Sequence, residues 1–300
     1  MTDIEATYRS LINCINEKRW GDMPRYMHSH FEKDGQDYTP ESYAAQMESN
    51  GETELIVDAV TVDQESQECL GATVLVKFKT NVINEGHAKQ QAGKTVLLMA
   101  QHFNWFTEGK ISKTLTVADR DEMHRQFTDP EASFTPDLIS HYQPPPRASS
   151  DAALSARELE DKYRQYIGCI NAQTMEAELH RFCHPQVVHN TKALTIEEYR
   201  LLIQEAFTAI PDITFGLHTV VVDERAQRVA VRIEFSGTPI GVFAGVKPNG
   251  RSVSFCEHVT YRFEEGKIAR VWSIVDWPSY QAQLSESLTV VREKLEKVEK

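Results

Sequence analysis

Residues 251–277 read RSVSFCEHVTYRFEEGKIARVWSIVDW, and the pattern is that of a β-hairpin. Val253, Phe255, Val259, Tyr261 and Phe263 alternate with polar residues, the period of a strand with one buried face. Glu264 to Lys267 supply a short turn, with Gly266 where a positive φ is needed. Residues 268–277 form the return strand. Glu257 falls on the apolar face of the first strand and Asp276 ends the second. A carboxylate on an apolar face marks either a site or a wrongly assigned face, and the rest of the chain decides which.

Working outward, the hairpin has an earlier counterpart. Residues 94–106 parallel 251–263, Gly109-Lys110-Ile111 parallels Gly266-Lys267-Ile268, and Asp119 falls opposite Asp276. The two halves repeat throughout at an offset of about 155 to 160 positions. Tyr8, Leu11, Ile12 and Ile15 form one face of a helix, as do Tyr163, Tyr166, Ile167 and Ile170, and both helices run into Cys-Ile-Asn. Thr2 with Glu5 and Ser155 with Glu158 read as capping boxes ahead of them. A short helix ending at His28 or His184 is expected next, then a capped helix starting near Thr39 or Thr195. Strands 55–62, 73–79 and 94–106 match 213–222, 229–235 and 251–263. Helices followed by a run of antiparallel strands give each half an α+β pattern.

The expected boundaries follow. Residues 1–140 are a diverged first domain, 141–154 a polar linker stiffened by three prolines, 155–284 the second domain and 285–300 a charged helix. The charged segment after Trp277 carries Leu284, Leu288, Val291, Leu295 and Val298 as an apolar stripe, too short for an independent zipper.

Composition narrows the function classes. Hydrophobic content of 41% and charged content of 25% are those of a globular protein. No apolar run reaches bilayer length, and residues 1–5 do not read as a signal peptide. A net charge of −12 without a basic cluster argues against nucleic acid and anionic membranes as partners. Five scattered cysteines without a CxxC pair fit a reducing, cytoplasmic location. The HRFCH segment around His180, Cys183 and His184 lacks a second ligand pair for zinc. The run from Gly241 to Lys247 lacks the spacing and the hydroxyl residue of a phosphate loop.

The second half resembles the SnoaL-like polyketide cyclases, within the nuclear-transport-factor-2-like (ketosteroid-isomerase-like) superfamily. The resemblance rests on Pro211-Asp212-Ile213, Val231-Arg232-Ile233, Gly237-Thr238, Gly241, Gly245, the segment from Pro248 to Arg251, Gly266-Lys267-Ile268, Trp272 and Asp276. Pro239 stands where the family often has His, and the first half lacks the glycine series, residues 80–93 being polar and irregular. The resemblance implies two tandem cones, each with helices closed over a strongly curved antiparallel sheet around an apolar pocket. It implies acid–base chemistry on a small apolar or polyketide-like molecule with no metal or organic cofactor: cyclisation, isomerisation or dehydration. It also implies pairing across the outer sheet face, within this chain as a pseudo-dimer or between chains as a homo-oligomer. A non-catalytic binding or assembly protein of the same fold is the alternative.

Acid–base catalysis needs a carboxylate or imidazole whose pKa an apolar surround has moved. Asp276 matches the family's acid–base aspartate; its alternative reading is a strand-end residue capping the next turn. Glu257 meets the requirement between Phe255 and Val259, and His258 replaces it if the register differs by one residue. Trp272, Tyr261 and Phe255 are expected to shape the pocket, with His184, His189 and Tyr199 near it. Arg232 either enters the pocket as an oxyanion partner or pairs with Glu234 outside. Ala100, Gln101, Leu75 and Leu115 stand opposite Glu257, His258, Arg232 and Trp272, which suggests a working site in the second half alone. His102 and Asn104 leave room for a different ligand in the first.

Overall fold

The computed structural model of this chain describes residues 3–49, 51–79, 94–129 and 153–285. The expected linker up to residue 152, the irregular stretch 80–93 and the C-terminal stripe beyond Leu284 lie outside these residues.

Each half opens with an amphipathic helix, α1 (Ile4–Asn16) and α4 (Ala156–Asn171), whose buried face is the one its i, i+3, i+4 spacing sets. Ser155 and Glu158 form the expected capping box. The cap of α1 is Asp3 rather than Thr2; its carboxylate accepts from the Ala6 N–H at 3.0 Å. The third expected helix is present in both halves, as α2 (Pro40–Ser49) and α5 (Ile196–Ala209), the latter behind a Thr195–Glu198 capping box. A further helix, α3 (Arg120–Thr128), closes the first half, and its counterpart begins at residue 277.

The strands are β1 (Met27–Lys33), β2 (Gln36–Tyr38), β3 (Thr53–Val62), β4 (Cys69–Lys79), β5 (Thr95–Thr107) and β6 (Lys110–Ala118) in the first half. The second holds β7 (Cys183–His189), β8 (Lys192–Thr195), β9 (Thr214–Asp223), β10 (Arg228–Gly237), β11 (Val253–Glu264) and β12 (Lys267–Val275). The sheets have the same order, β2-β1-β6-β5-β4-β3 and β8-β7-β12-β11-β10-β9. The long strands are antiparallel, as expected, but β1 and β7 join parallel to β6 and β12, so each sheet is mixed. Those two strands begin where a helix end was expected: a 3-10 turn, Trp20–Arg25, precedes β1, while a one-turn α-helix, Met175–Glu178, running into a 3-10 turn, Leu179–Arg181, precedes β7. His28 and His184 tie their starts to the hairpin, each ring bonding at 2.8 Å to the carbonyl of Thr107 or Glu264.

The turn at the tip of the opening hairpin has Glu265 at φ 47° and Gly266 at φ 70°, the two positive angles of a tight two-residue connection. Phe263 pairs with Ile268, yet Arg262 pairs with Arg270, so Ala269 is an extra residue in β12. This bulge decides the faces. Without it, Ile268, Arg270, Trp272, Ile274 and Asp276 share the face of Glu257. With it, Val271, Ser273 and Val275 turn inward, and Trp272 and Ile274 turn out. The same bulge recurs between Trp105 and Phe106 in the first half.

Each concave face carries one core under its helices: Tyr8, Leu11, Phe31 and Leu70 in one half, Tyr163, Tyr166, Val259 and Tyr261 in the other. The outward faces meet. Leu75, Leu97, Met99 and Val117 of the first sheet pack on Cys256, Trp272 and Ile274 of the second. Gly71 sits at the closest approach, since a Cβ there would lie 2.6 Å from the Ala230 methyl. Gln101 and His258, equivalent positions of the repeat, touch each other, as residues near the axis of an isologous dimer do. The Gln101 amide also donates to the Trp272 carbonyl at 2.7 Å. The two halves thus touch through their outer sheet faces within the chain, the intramolecular one of the two pairings expected.

Candidate active site

A cavity of about 320 Å³ lies between the concave face of the second sheet and helices α4 and α5. Its walls are aromatic and aliphatic: Tyr166, Tyr199, Phe215, Phe235, Phe255 and Tyr261 all line it. Phe243 closes one side and packs edge-on to Trp277, ring centroids 5.2 Å apart. The glycine-rich loop after β10 carries Phe243 there; Gly237 is needed at its start because a Cβ would meet Ile210 at 2.6 Å. Asp119, Arg120 and Asp121 of the first half reach the rim.

Glu257 stands on the inner wall, placed there by the alternation of β11. Burial pushes its carboxyl up from 4.5 to about 7, against the lowering effect of a hydrogen bond donated by the Ser273 hydroxyl to Oε1. Ser273 reaches it because the Ala269 bulge turns Ser273 inward. Asn190 holds the Ser273 backbone on both sides: its Oδ1 accepts from the Ser273 N–H at 2.8 Å and its Nδ2 donates to the carbonyl at 3.1 Å. The Tyr166 and Tyr199 hydroxyls bond at 2.8 Å, and burial raises both phenols, so both remain protonated. His189 lines the cavity beside Tyr199 and burial lowers it to about 4, which keeps it neutral.

The other expected residues lie elsewhere. His258 is fully buried against the first half. A carbonyl only accepts, so its contact at 3.0 Å with the Gln101 oxygen puts the proton on Nδ1; Nε2 then accepts from Arg232 at 2.9 Å. Burial lowers its pKa to about 3, and both ring nitrogens are engaged, Nδ1 across the domain contact and Nε2 within its own half. Arg232 shares that outer face, with Nε 3.5 Å from Glu234, which is the pairing expected outside the pocket. Trp272 is 1% exposed in the interdomain cluster rather than in the cavity. Asp276 does not line the cavity: it precedes the helix at 277, accepting from the Ser279 N–H at 3.3 Å and from its hydroxyl. Asp119 caps α3 in the same way, accepting from the Glu122 N–H at 2.9 Å. The aspartate shared by the repeats is therefore a shared helix cap. His184 is the strand tie described above.

The cavity thus brings together Glu257, Tyr261, Phe255, His189 and Tyr199 of the expected set, and adds Ser273, Asn190, Tyr166 and the further aromatic residues. Alternation along β12 finds Ser273 once the bulge is known; Asn190, at the β7–β8 turn, has no signal in the pattern.

Residues 160–284 match the family described as SnoaL-like polyketide cyclase. A SnoaL-like polyketide cyclase from Agrobacterium tumefaciens is 39% identical over 42% of this chain and 98% of its own, at a TM-score of 0.40. This chain belongs to the SnoaL-like polyketide cyclase family. TsrD from Streptomyces laurentii, 23% identical, covers 44% of this chain and 98% of its own at a TM-score of 0.41. No curated protein matches the chain. Among the described residues no helix of this SnoaL-like protein is long and apolar enough to cross a membrane.

Proposed function

We propose that the second domain is a cofactor-independent acid–base cyclase for a small polyketide-like molecule, with Glu257 as the proton-transferring residue. The observation that carries this reading is a buried carboxyl, hydrogen-bonded by Ser273, on the wall of an aromatic cavity of about 320 Å³, where burial pushes it up to about 7. A group with that pKa serves as base and acid in turn at neutral pH, which a carboxylate at 4.5 does poorly.

In the proposed sequence Glu257 takes a proton from a carbon next to a carbonyl, leaving an enolate. A protonated phenol of the Tyr166–Tyr199 pair donates to the enolate oxygen. The enolate carbon attacks a second carbonyl of the same chain, forming the ring C–C bond, and protonated Glu257 returns its proton to the new alkoxide. The substrate is isomerised and no atom is lost. Aromatic walls favour the folded conformer in which the two carbonyls meet.

The test is turnover of a panel of linear poly-β-ketones, followed by chromatography for the cyclised isomer. Glu257→Gln is expected to lower the rate by about 10² to 10⁴ while leaving affinity within about tenfold. Asp276→Asn, which keeps a capping oxygen, should retain turnover. Unchanged product formation in Glu257→Gln would refute the assignment, and binding without turnover in the wild type would make the domain a binding protein.

A further inference from the structure

The first domain has a cavity of its own, about 250 Å³, between α1, α2 and the concave face of its sheet. Leu11, Ile15, Phe31, Tyr43 and Met47 supply apolar and aromatic wall. Ala100 stands where the second domain has Glu257, so the acid–base carboxyl is absent. Among the polar residues that line the cavity are His102 and Asn104, at the positions of Val259 and Tyr261 in the second domain; Gln46, Thr53, Thr114 and Thr116 are others.

Asn104 is 2% exposed. Its Oδ1 accepts from the Thr114 hydroxyl at 2.9 Å, which fixes the orientation of the amide and leaves Nδ2 without a partner. An unpaired buried N–H costs on the order of 1–3 kcal/mol, and a fold that retains one at a cavity wall is suited to a ligand acceptor there. His102 Nδ1 lies 2.9 Å from the Tyr8 hydroxyl. Burial raises the Tyr8 phenol, so it keeps its hydrogen and donates it to Nδ1. The imidazole then carries its proton on Nε2, a second donor on a ring that lines the cavity. Burial holds His102 at about 4, so the ring is neutral. Lys33, the cation among the lining residues, is engaged with Asp34 at 2.5 Å. Neutral donors beside the apolar and aromatic part of the wall suit an uncharged acceptor.

We propose that the first domain holds a second small-molecule site, selective for an apolar ring compound bearing a carbonyl oxygen, which Asn104 and His102 bind through that oxygen. The site binds without turnover, and it stands apart from the chemistry assigned to Glu257.

The experiment uses the full chain with 1-tetralone and its hydrocarbon counterpart tetralin, followed by NMR of the His102 ring. Tetralone is expected to shift the His102 signals with an affinity about tenfold above that of tetralin, the worth of one buried hydrogen bond. Asn104→Leu should bring the two affinities together. Val76→Phe, which fills the cavity from its apolar side, should abolish the tetralone response and keeps the test open if Asn104→Leu fails to fold. Glu257→Gln should leave all of these responses unchanged, so the outcome is independent of the proposed catalysis. Equal binding of tetralin and tetralone, silence at His102, or a response that survives Val76→Phe would overturn the proposal.

Discussion

Replacing Glu257 by Gln tests the site through stability before any substrate is known. Folded Glu257 keeps its proton up to about pH 7, whereas an unfolded glutamate loses it near 4.5. Below 4.5 both states are protonated and the group costs nothing. Between 4.5 and 7 only the unfolded chain ionises, so stability falls; above 7 the penalty is complete. At 1.36 kcal/mol per pH unit the gap corresponds to about 3 kcal/mol. Gln keeps an oxygen for the Ser273 hydroxyl and cannot ionise. Urea unfolding of wild type and variant should therefore coincide at pH 4.5 and separate by up to about 3 kcal/mol at pH 8, with the Glu257→Gln variant the more stable form. Subtracting the two curves removes every other titrating group. A variant no more stable than wild type at pH 8 would refute the claim that this carboxyl is desolvated.

Further outcomes follow from the residues that sequence pattern placed in the site and the structure places outside it. Asp276→Ala removes a helix cap and should cost about 1 kcal/mol, with Asp276→Asn near wild type in both unfolding and turnover. His258→Ala removes a contact from the Gln101 carbonyl and one from Arg232, which keeps Glu234, and opens a void beside Phe103; a loss of about 2–4 kcal/mol in urea unfolding is expected, with turnover per folded molecule retained. Gly71→Ala forces a methyl against Ala230 and should cost about 1–3 kcal/mol, part of which Ala230→Gly restores in the double variant.

The placement of these residues shows what the pattern carried and what it did not. Alternation along β11 favoured Glu257 over His258 as the inward residue while leaving both open, and the structure has Glu257 lining the cavity, with Phe255 and Tyr261 on the same face. The duplication was legible for the same reason: both halves keep the same core spacing. On β12 the count failed by one at Ala269, since a bulge leaves no mark in hydrophobicity, and Trp272 and Asp276 were carried to the wrong face. The outer face also misled. Trp272, Cys256 and Ile274 are apolar because the other half covers them, so burial on both faces looked like a pocket on one. That covering reinterprets the repeat comparison too. His258, Arg232 and Trp272 differ from Gln101, Leu75 and Leu115 at the contact between the halves, where one chain is free to evolve two unlike surfaces. Of these four pairs, Glu257 opposite Ala100 is the one whose member lines a cavity of the second half.

The most direct measurement is the titration of the Glu257 carboxyl itself, by ¹³C NMR of side-chain-labelled protein with Glu257→Gln to assign the signal. The structure predicts a midpoint of about 7, set by burial in the cavity. A midpoint near 4.5 would mean a solvated carboxylate and would contradict the assignment of Glu257 as the acid–base residue.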